Sequence, residues 1–312
     1  MAAPEQIEWL LAGDPAIRWQ VLRDLLDAPA EEVAAERARV VDIGWGSRLL
    51  SLQGEDGRWA ADRGPKGYRG IYSPKWTSTT YTLLLLRRLG VPPGNDGALA
   101  GCDALVRHAD WTDAAGVRLW NADTSDTCVS ALVCSVLEYF DAEATRERER
   151  LLEYLLAEQT DDGSWSADKG PMHATIAALE ALAIRRERVP SGYVDAAIER
   201  GREYLLERQF FRSPETGEVL DPAFRRLSFP PRWHYDVLRG LDHFQATDAP
   251  ADDRAAAAIA LLERKVDEDG RWPLEDHHSG EEHFVVEEPG EPSRWNTLRA
   301  LRVLEWWREA SG

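Results

Sequence analysis

The chain has 312 residues, 44% of them hydrophobic, and a formal net charge of −18. The acidic balance excludes nucleic acid and anionic membrane surfaces as partners, while the apolar fraction is ample for a substantial core. No run of about 18 apolar residues is present to span a membrane, the N-terminus lacks the basic cluster of a signal peptide, and Cys102, Cys128 and Cys134, an odd set without paired spacing, read as reduced thiols of a cytoplasmic protein.

Two local signals recur along the chain. The first is Asp-Gly-x-Trp, at Asp56 to Trp59, Asp162 to Trp165 and Asp269 to Trp272. Its tryptophans are 106 and 107 residues apart, about two repeat units each. Weaker copies fall between, from Trp111 to Trp120 and around Gly217, and the helical stretches before two clear copies end in Gln53 and Gln159. The second signal is Pro, then Arg or Lys, then Trp, opening an apolar helix. It occurs at Pro15…Arg18-Trp19, Pro74-Lys75-Trp76, Pro231-Arg232-Trp233 and Pro292-Ser293-Arg294-Trp295. Further starts in phase fall at Asp123 to Cys128 and Pro171 to His173. Proline just inside a helix start is in its favoured place.

The helices after these starts are apolar almost all round, as in Thr82 to Leu86, Val129 to Leu137 and Ile176 to Ile184, so they are buried on every side. The intervening ones, Glu31 to Gln53, Ala144 to Gln159, Tyr193 to Gln209 and Ala251 to Val266, are amphipathic and charged. Each unit thus pairs a buried helix with an exposed one, and such units bury a continuous core only when several stack. The expectation is one all-α domain over residues 1–312, six helix hairpins closed into a ring with the buried helices inside. An open superhelix is the competing geometry.

The stretches Gln53…Gly57-Arg58-Trp59 and Gln159…Gly163-Ser164-Trp165 resemble the QW repeat of squalene and oxidosqualene cyclases. The resemblance covers nearly the whole chain and implies the (α/α)6 toroid of the squalene cyclase and protein prenyltransferase superfamily. It implies no particular reaction, because fold does not fix chemistry.

In such a toroid the first turns of the buried helices open towards one mouth, and function is read there. Asp126-Thr127-Cys128 resembles the Asp-x-Cys pair that holds zinc in protein prenyltransferases, with His173 at the corresponding stage of the next repeat as third ligand. Three protein ligands leave a zinc position open for substrate. The plain alternatives are a helix cap for Asp126, a small core residue for Cys128 and a hydrogen-bonded histidine. The bases that prenyltransferases place ahead of this pair to grip a diphosphate are missing, Arg118 being the nearest, and Lys75, Arg232 and Arg294 are the available substitutes.

The same stretch, Asp123-Thr124-Ser125-Asp126-Thr127, also resembles the Asp-x-Asp-Asp-Thr element of class II cyclases. Ser125 stands where that family's proton donor sits, so Asp126 or Asp123 has to take over as the acid. Trp19, Trp76, Trp233, Tyr235 and Trp295 are the candidate aromatic surface for carbocations or an isoprenoid chain, or they brace the helices. His234 follows Trp233 as a candidate acid, base or ligand. His277, His278 and His283 lie in an acidic loop, Glu275 to Glu291, that is either a lid over the mouth or a solvated connection. The competing functions are an enzyme on a small apolar, isoprenoid-type substrate, a carbohydrate-active barrel using Asp123 and Asp236 as its carboxylates, and a non-catalytic binding toroid.

Overall fold

A computed structural model describes residues 2–63, 70–109, 126–166 and 170–311. Their helices are α1 (Pro4–Leu11), α2 (Pro15–Asp24), α3 (Ala30–Ala38), α4 (Gly44–Ser51), α5 (Thr79–Leu89), α6 (Asp96–His108), α7 (Thr127–Tyr139), α8 (Thr145–Ala157), α9 (Pro171–Arg188), α10 (Gly192–Glu207), α11 (Val237–Ala246), α12 (Ala256–Glu263) and α13 (Arg294–Ser311). The strands found among the described residues are β1 (Trp272–Pro273) and β2 (Pro292–Ser293), paired antiparallel. The chain divides into two compact units, Met1–Trp45 with Glu203–His278 and Val285–Gly312, and Gly46–Arg202 with Ser279–Phe284.

In the second unit α5 packs on α7 and α7 on α9, with α6 against α5 and α8 against α7. The alternation of apolar and amphipathic helices expected from the sequence is present here. Every residue from Thr127 to Glu138 of α7 is buried, whereas α8 buries only Leu151, Leu152, Tyr154 and Leu155. Asp126 caps α7, Asn95 caps α6, and α5 stops at Gly90, whose φ of +87° takes the left-handed conformation that closes helices. Fully buried Glu138 on α7 is matched by Arg148 of α8 at 2.6 Å and Arg185 of α9 at 3.2 Å. A buried carboxylate is tolerated when paired in this way.

In the first unit α13 packs on α11 and on α2, with α1 and α3 against α2. Arg302 of α13 bridges Asp24 at 3.0 Å and Asp242 at 2.6 Å, tying the three buried helices together. Asp14 caps α2 through the Ala16 N–H and also accepts the Trp45 N–H, both at 2.9 Å.

The three Asp-Gly-x-Trp turns share one construction. The indole Nε1–H of Trp59, Trp165 and Trp272 donates to the carbonyls of Leu49, Leu155 and Leu262. Their backbone N–H groups donate to the hydroxyls of Thr79, Thr175 and Thr297. Each glycine has positive φ, +83°, +82° and +75°. Gln53 donates to the carbonyls of Gly57 and Gly97, and Gln159 to those of Gly163 and Ala197. At the third turn, where Val266 stands in place of that glutamine, Gln6 of α1 donates to the Gly270 carbonyl instead.

Several expected boundaries are corrected. α2 and α9 start at Pro15 and Pro171 as expected, but α5 and α11 begin at Thr79 and Val237, because Pro74-Lys75-Trp76 and Pro231-Arg232-Trp233 lie in turns ahead of them. Pro292 enters β2 before α13 begins. The expected helix over Glu31 to Gln53 is split into α3, a short 3-10 turn and α4. Gly44, at φ +80° and pressed against the Asp14 carboxylate, breaks it.

Candidate functional site

In the second unit the turn before α5 and the first turn of that helix gather Tyr72, Lys75, Trp76 and Tyr81. The Trp76 and Tyr81 rings meet edge to face at 4.7 Å, and Tyr72 tilts against Tyr81 at 5.3 Å. The Lys75 ammonium stands 5.0 Å from the Tyr72 centroid and 5.8 Å from that of Trp76. Both distances are within the range at which a ring face attracts a cation. The Tyr81 hydroxyl is buried beside Tyr72 with no hydrogen bond of good geometry. Burial, then the neighbouring Tyr72, Cys128 and Asp126, hold its pKa well above the ordinary phenol value, so it stays protonated. Tyr72 and Tyr81 were not legible as site residues, since Tyr81 lies in the apolar run of α5.

Asp126 accepts the Val129 N–H at 3.2 Å as the α7 cap, and Cys128 is fully buried with its Sγ 3.9 Å from the His173 carbonyl oxygen. His173 is half-buried in the first turn of α9. Asp126 and Cys128, at the start of α7, are near enough for their charges to act on the Tyr81 hydroxyl. Among the described residues no three His, Cys, Asp or Glu side chains are placed to hold a metal ion. Asp126, Cys128 and His173, the three ligands expected from the sequence, form no such group as they stand. Asp123 and Arg118 lie outside the described residues.

Part of the acidic loop is docked on this site. The Trp76 N–H donates to the Glu281 carbonyl at 2.6 Å, the Glu281 N–H to the Lys75 carbonyl at 2.7 Å, and the Trp76 Nε1–H to the Ser279 carbonyl at 3.1 Å. His283 Nε2 shares a 2.9 Å hydrogen bond with the Thr82 hydroxyl, and Arg48 lies 3.8 Å over the Phe284 ring.

The remaining candidates belong to the first unit. Trp19 is buried, with the guanidinium groups of Arg23 and Arg37 4.6 and 5.1 Å from its ring, which gives it a bracing environment. Trp233, His234 and His278 form a stack, with centroids 3.7 and 3.5 Å apart. Burial pushes His278 down to about 4, against the partial opposition of Asp276 and Asp236 and helped by Arg232 and Arg239. Tyr235 donates to the Phe210 carbonyl at 2.7 Å, and Asp236 caps α11 while accepting from Ser228 Oγ at 2.5 Å. Trp295 stacks on Phe229 at 4.4 Å. Arg294 donates to the Trp9 carbonyl at 3.1 Å and lies over that residue's ring. Glu287, from the same acidic loop, accepts the Ser293 hydroxyl and the N–H groups of Arg294 and Trp295, and so caps α13. Burial raises its pKa.

No protein-family model matches the chain, and no curated protein matches it. Similar solved structures cover almost all of it. A protein from Actinoplanes is 19% identical with a TM-score of 0.50, covering 99% of this chain and 98% of that one. A glycosyl hydrolase of family 88 from Bacteroides vulgatus is 12% identical, also at 0.50, covering 97% and 90%. The type II terpene cyclase MstE from Scytonema is 18% identical at 0.46, covering 96% and 89%. The likeness carries the fold class alone, mostly helical and of the α/α-toroid type.

Proposed function

We propose that the chain handles a small apolar substrate of isoprenoid type, holding positive charge that develops on it against aromatic faces. The observation that carries this reading is the position of Lys75, whose ammonium rests over Tyr72 and Trp76. The rings are already oriented as a cation requires, and a desolvated contact of this kind contributes about 2 kcal/mol. Asp126, whose charge acts on Tyr81, is the candidate acid, and the protonated Tyr81 hydroxyl is a neutral donor at the same aromatic cluster. The repeated Gln…Gly-x-Trp turns add support through their resemblance to those of squalene cyclases.

The test is binding of geranylgeranyl diphosphate, together with zinc content, on wild type and on Cys128→Ala and Trp76→Ala. Weakened binding in Trp76→Ala with wild-type behaviour of Cys128→Ala is the expected result. Loss of both zinc and binding in Cys128→Ala would instead restore the zinc-dependent prenyl transfer expected from the sequence. No binding by any of the three leaves a non-catalytic toroid as the better account. A carbohydrate-cleaving reading needs two carboxylates across a cleft, and Asp236 is already committed to Ser228 and to the start of α11.

A further inference from the structure

Ser279–Phe284 reads Ser-Gly-Glu-Glu-His-Phe, with no apolar residue before Phe284 to bury against a core. Its contacts are backbone pairing with Lys75 and Trp76, the Ser279 carbonyl on the Trp76 indole, His283 on Thr82 and, at its end, the Phe284 ring under Arg48. Glu281 also meets Arg63 at 2.5 Å, but both are about half exposed, and such pairs hold little. Ser279, Gly280 and Glu281 are exposed, whereas Trp76 beneath them is 4% exposed.

The contrast with the bracing tryptophans is informative. Trp59 and Trp165 of this unit each give their Nε1–H to a helix carbonyl, and both are fully buried. Trp76 gives its Nε1–H to an exposed loop. Gly280 makes the close approach possible. A Cβ there would fall 2.6 Å from Trp76 Cδ1 and overlap Nε1 as well. The Ser279–Phe284 sequence offers little apolar surface and its outer residues are exposed, and a segment of that kind sits at the low end of local opening free energies.

We propose that Ser279–Phe284 is a displaceable strap over Trp76, which must lift before a substrate reaches the indole. The proposal rests on the reading of Trp76 as substrate-binding, but the strap can be tested without a substrate. Wild type, Gly280→Val and His283→Ala are treated with 2-hydroxy-5-nitrobenzyl bromide, and modification of Trp76 is read by peptide mass spectrometry with Trp59 as internal control. The side chain of Gly280→Val collides with Trp76 and forfeits the bonds around it. It should speed modification of Trp76 at least about tenfold, while His283→Ala, which loses the hydrogen bond to Thr82, should do so about fivefold. Trp59 should stay unchanged in both. Equal modification of Trp76 in wild type and His283→Ala overturns the strap, whether or not Gly280→Val folds. A second measurement follows hydrogen exchange of the Glu281 amide with saturating geranylgeranyl diphosphate. Faster exchange is expected, and retained protection with the probe bound overturns gating. If the probe binds no variant, the proposed function fails, and the strap is then judged on Trp76 modification alone.

Discussion

The backbone N–H of Trp59 donates to the hydroxyl of Thr79 at 3.1 Å, joining the turn to the first residue of the buried helix that follows it. The same bond joins Trp165 to Thr175 at 3.1 Å. Both amides are buried, so their hydrogen bond cannot be exchanged for water. Thr175→Val keeps the shape of the side chain and removes the acceptor. An orphaned buried N–H costs about 1–3 kcal/mol, and urea unfolding of Thr175→Val should show a loss in that range with helix content retained. Trp165→Ala should cost more, about 3–5 kcal/mol, since it leaves a cavity as well.

Gly163 and Gly217 separate backbone strain from steric overlap. Both have positive φ, +82° and +71°. A Cβ at Gly163 would overlap the Arg200 carbonyl of α10, whereas one at Gly217 meets nothing within 4 Å. Gly217→Ala should therefore cost only the left-handed penalty of about 1–2 kcal/mol. Gly163→Ala should cost at least about 1 kcal/mol more, because the turn and α10 must separate. Equal midpoints in parallel thermal melts would contradict this.

The alternation of buried and amphipathic helices was legible because hydrophobic period survives any arrangement of the helices. The Trp turns were legible for a similar reason, their residues being close in sequence. What closes them was not. The threonine acceptors lie 20, 10 and 25 residues after their tryptophans, since the intervening loops differ in length. Gln6, which serves the third turn, is 264 residues from Gly270. The starts of α5 and α11 lie beyond the Pro-x-Trp signals because Trp76 and Trp233 sit in turns held by tertiary contacts, Glu281 on Trp76 and His278 stacked on His234 beside Trp233. Asp126 was legible both as a cap and as a candidate site residue, and the structure shows the cap.

His278 links stability to pH. Its folded pKa of about 4 lies below the ordinary 6.5. The unfolded chain therefore binds a proton more readily between those values, and stability rises with pH across that window. The contribution is fully present above 6.5 and is lost as pH falls towards 4, with an upper bound of about 3 kcal/mol. Glu287, with a raised pKa, has the opposite slope above its ordinary 4.5. Unfolding of His278→Phe, which keeps an aromatic ring for the stack on His234, should lose the rise between 4 and 6.5. A variant that retains the wild-type slope would assign the titration to other groups.

Lys75 permits a test in which two probes move in opposite directions. Its ammonium occupies the faces of Tyr72 and Trp76, so it repels a cation brought to those faces and attracts an anion. Lys75→Met keeps the length of the stem and removes the charge. An isoprenoid amine, whose ammonium stands where a carbocation would form, should bind Lys75→Met more tightly. Geranylgeranyl diphosphate should bind it more weakly. A like charge about 4 Å away, at the effective dielectric of a partly solvated site, amounts to a few kcal/mol at most, and screening reduces this to roughly a fivefold change in each Kd. Trp76→Leu should weaken the amine about tenfold, matching a cation–π contact of 1–2 kcal/mol, and change a neutral isoprenoid alcohol far less. Titration calorimetry of the three ligands on the three proteins reads all of these at once. Shifts of the same sign for amine and diphosphate in Lys75→Met would mean that Lys75 acts through the shape of the turn. Equal losses of amine and alcohol in Trp76→Leu would mean that the indole supplies apolar surface only, and the proposal that these rings hold positive charge would fall.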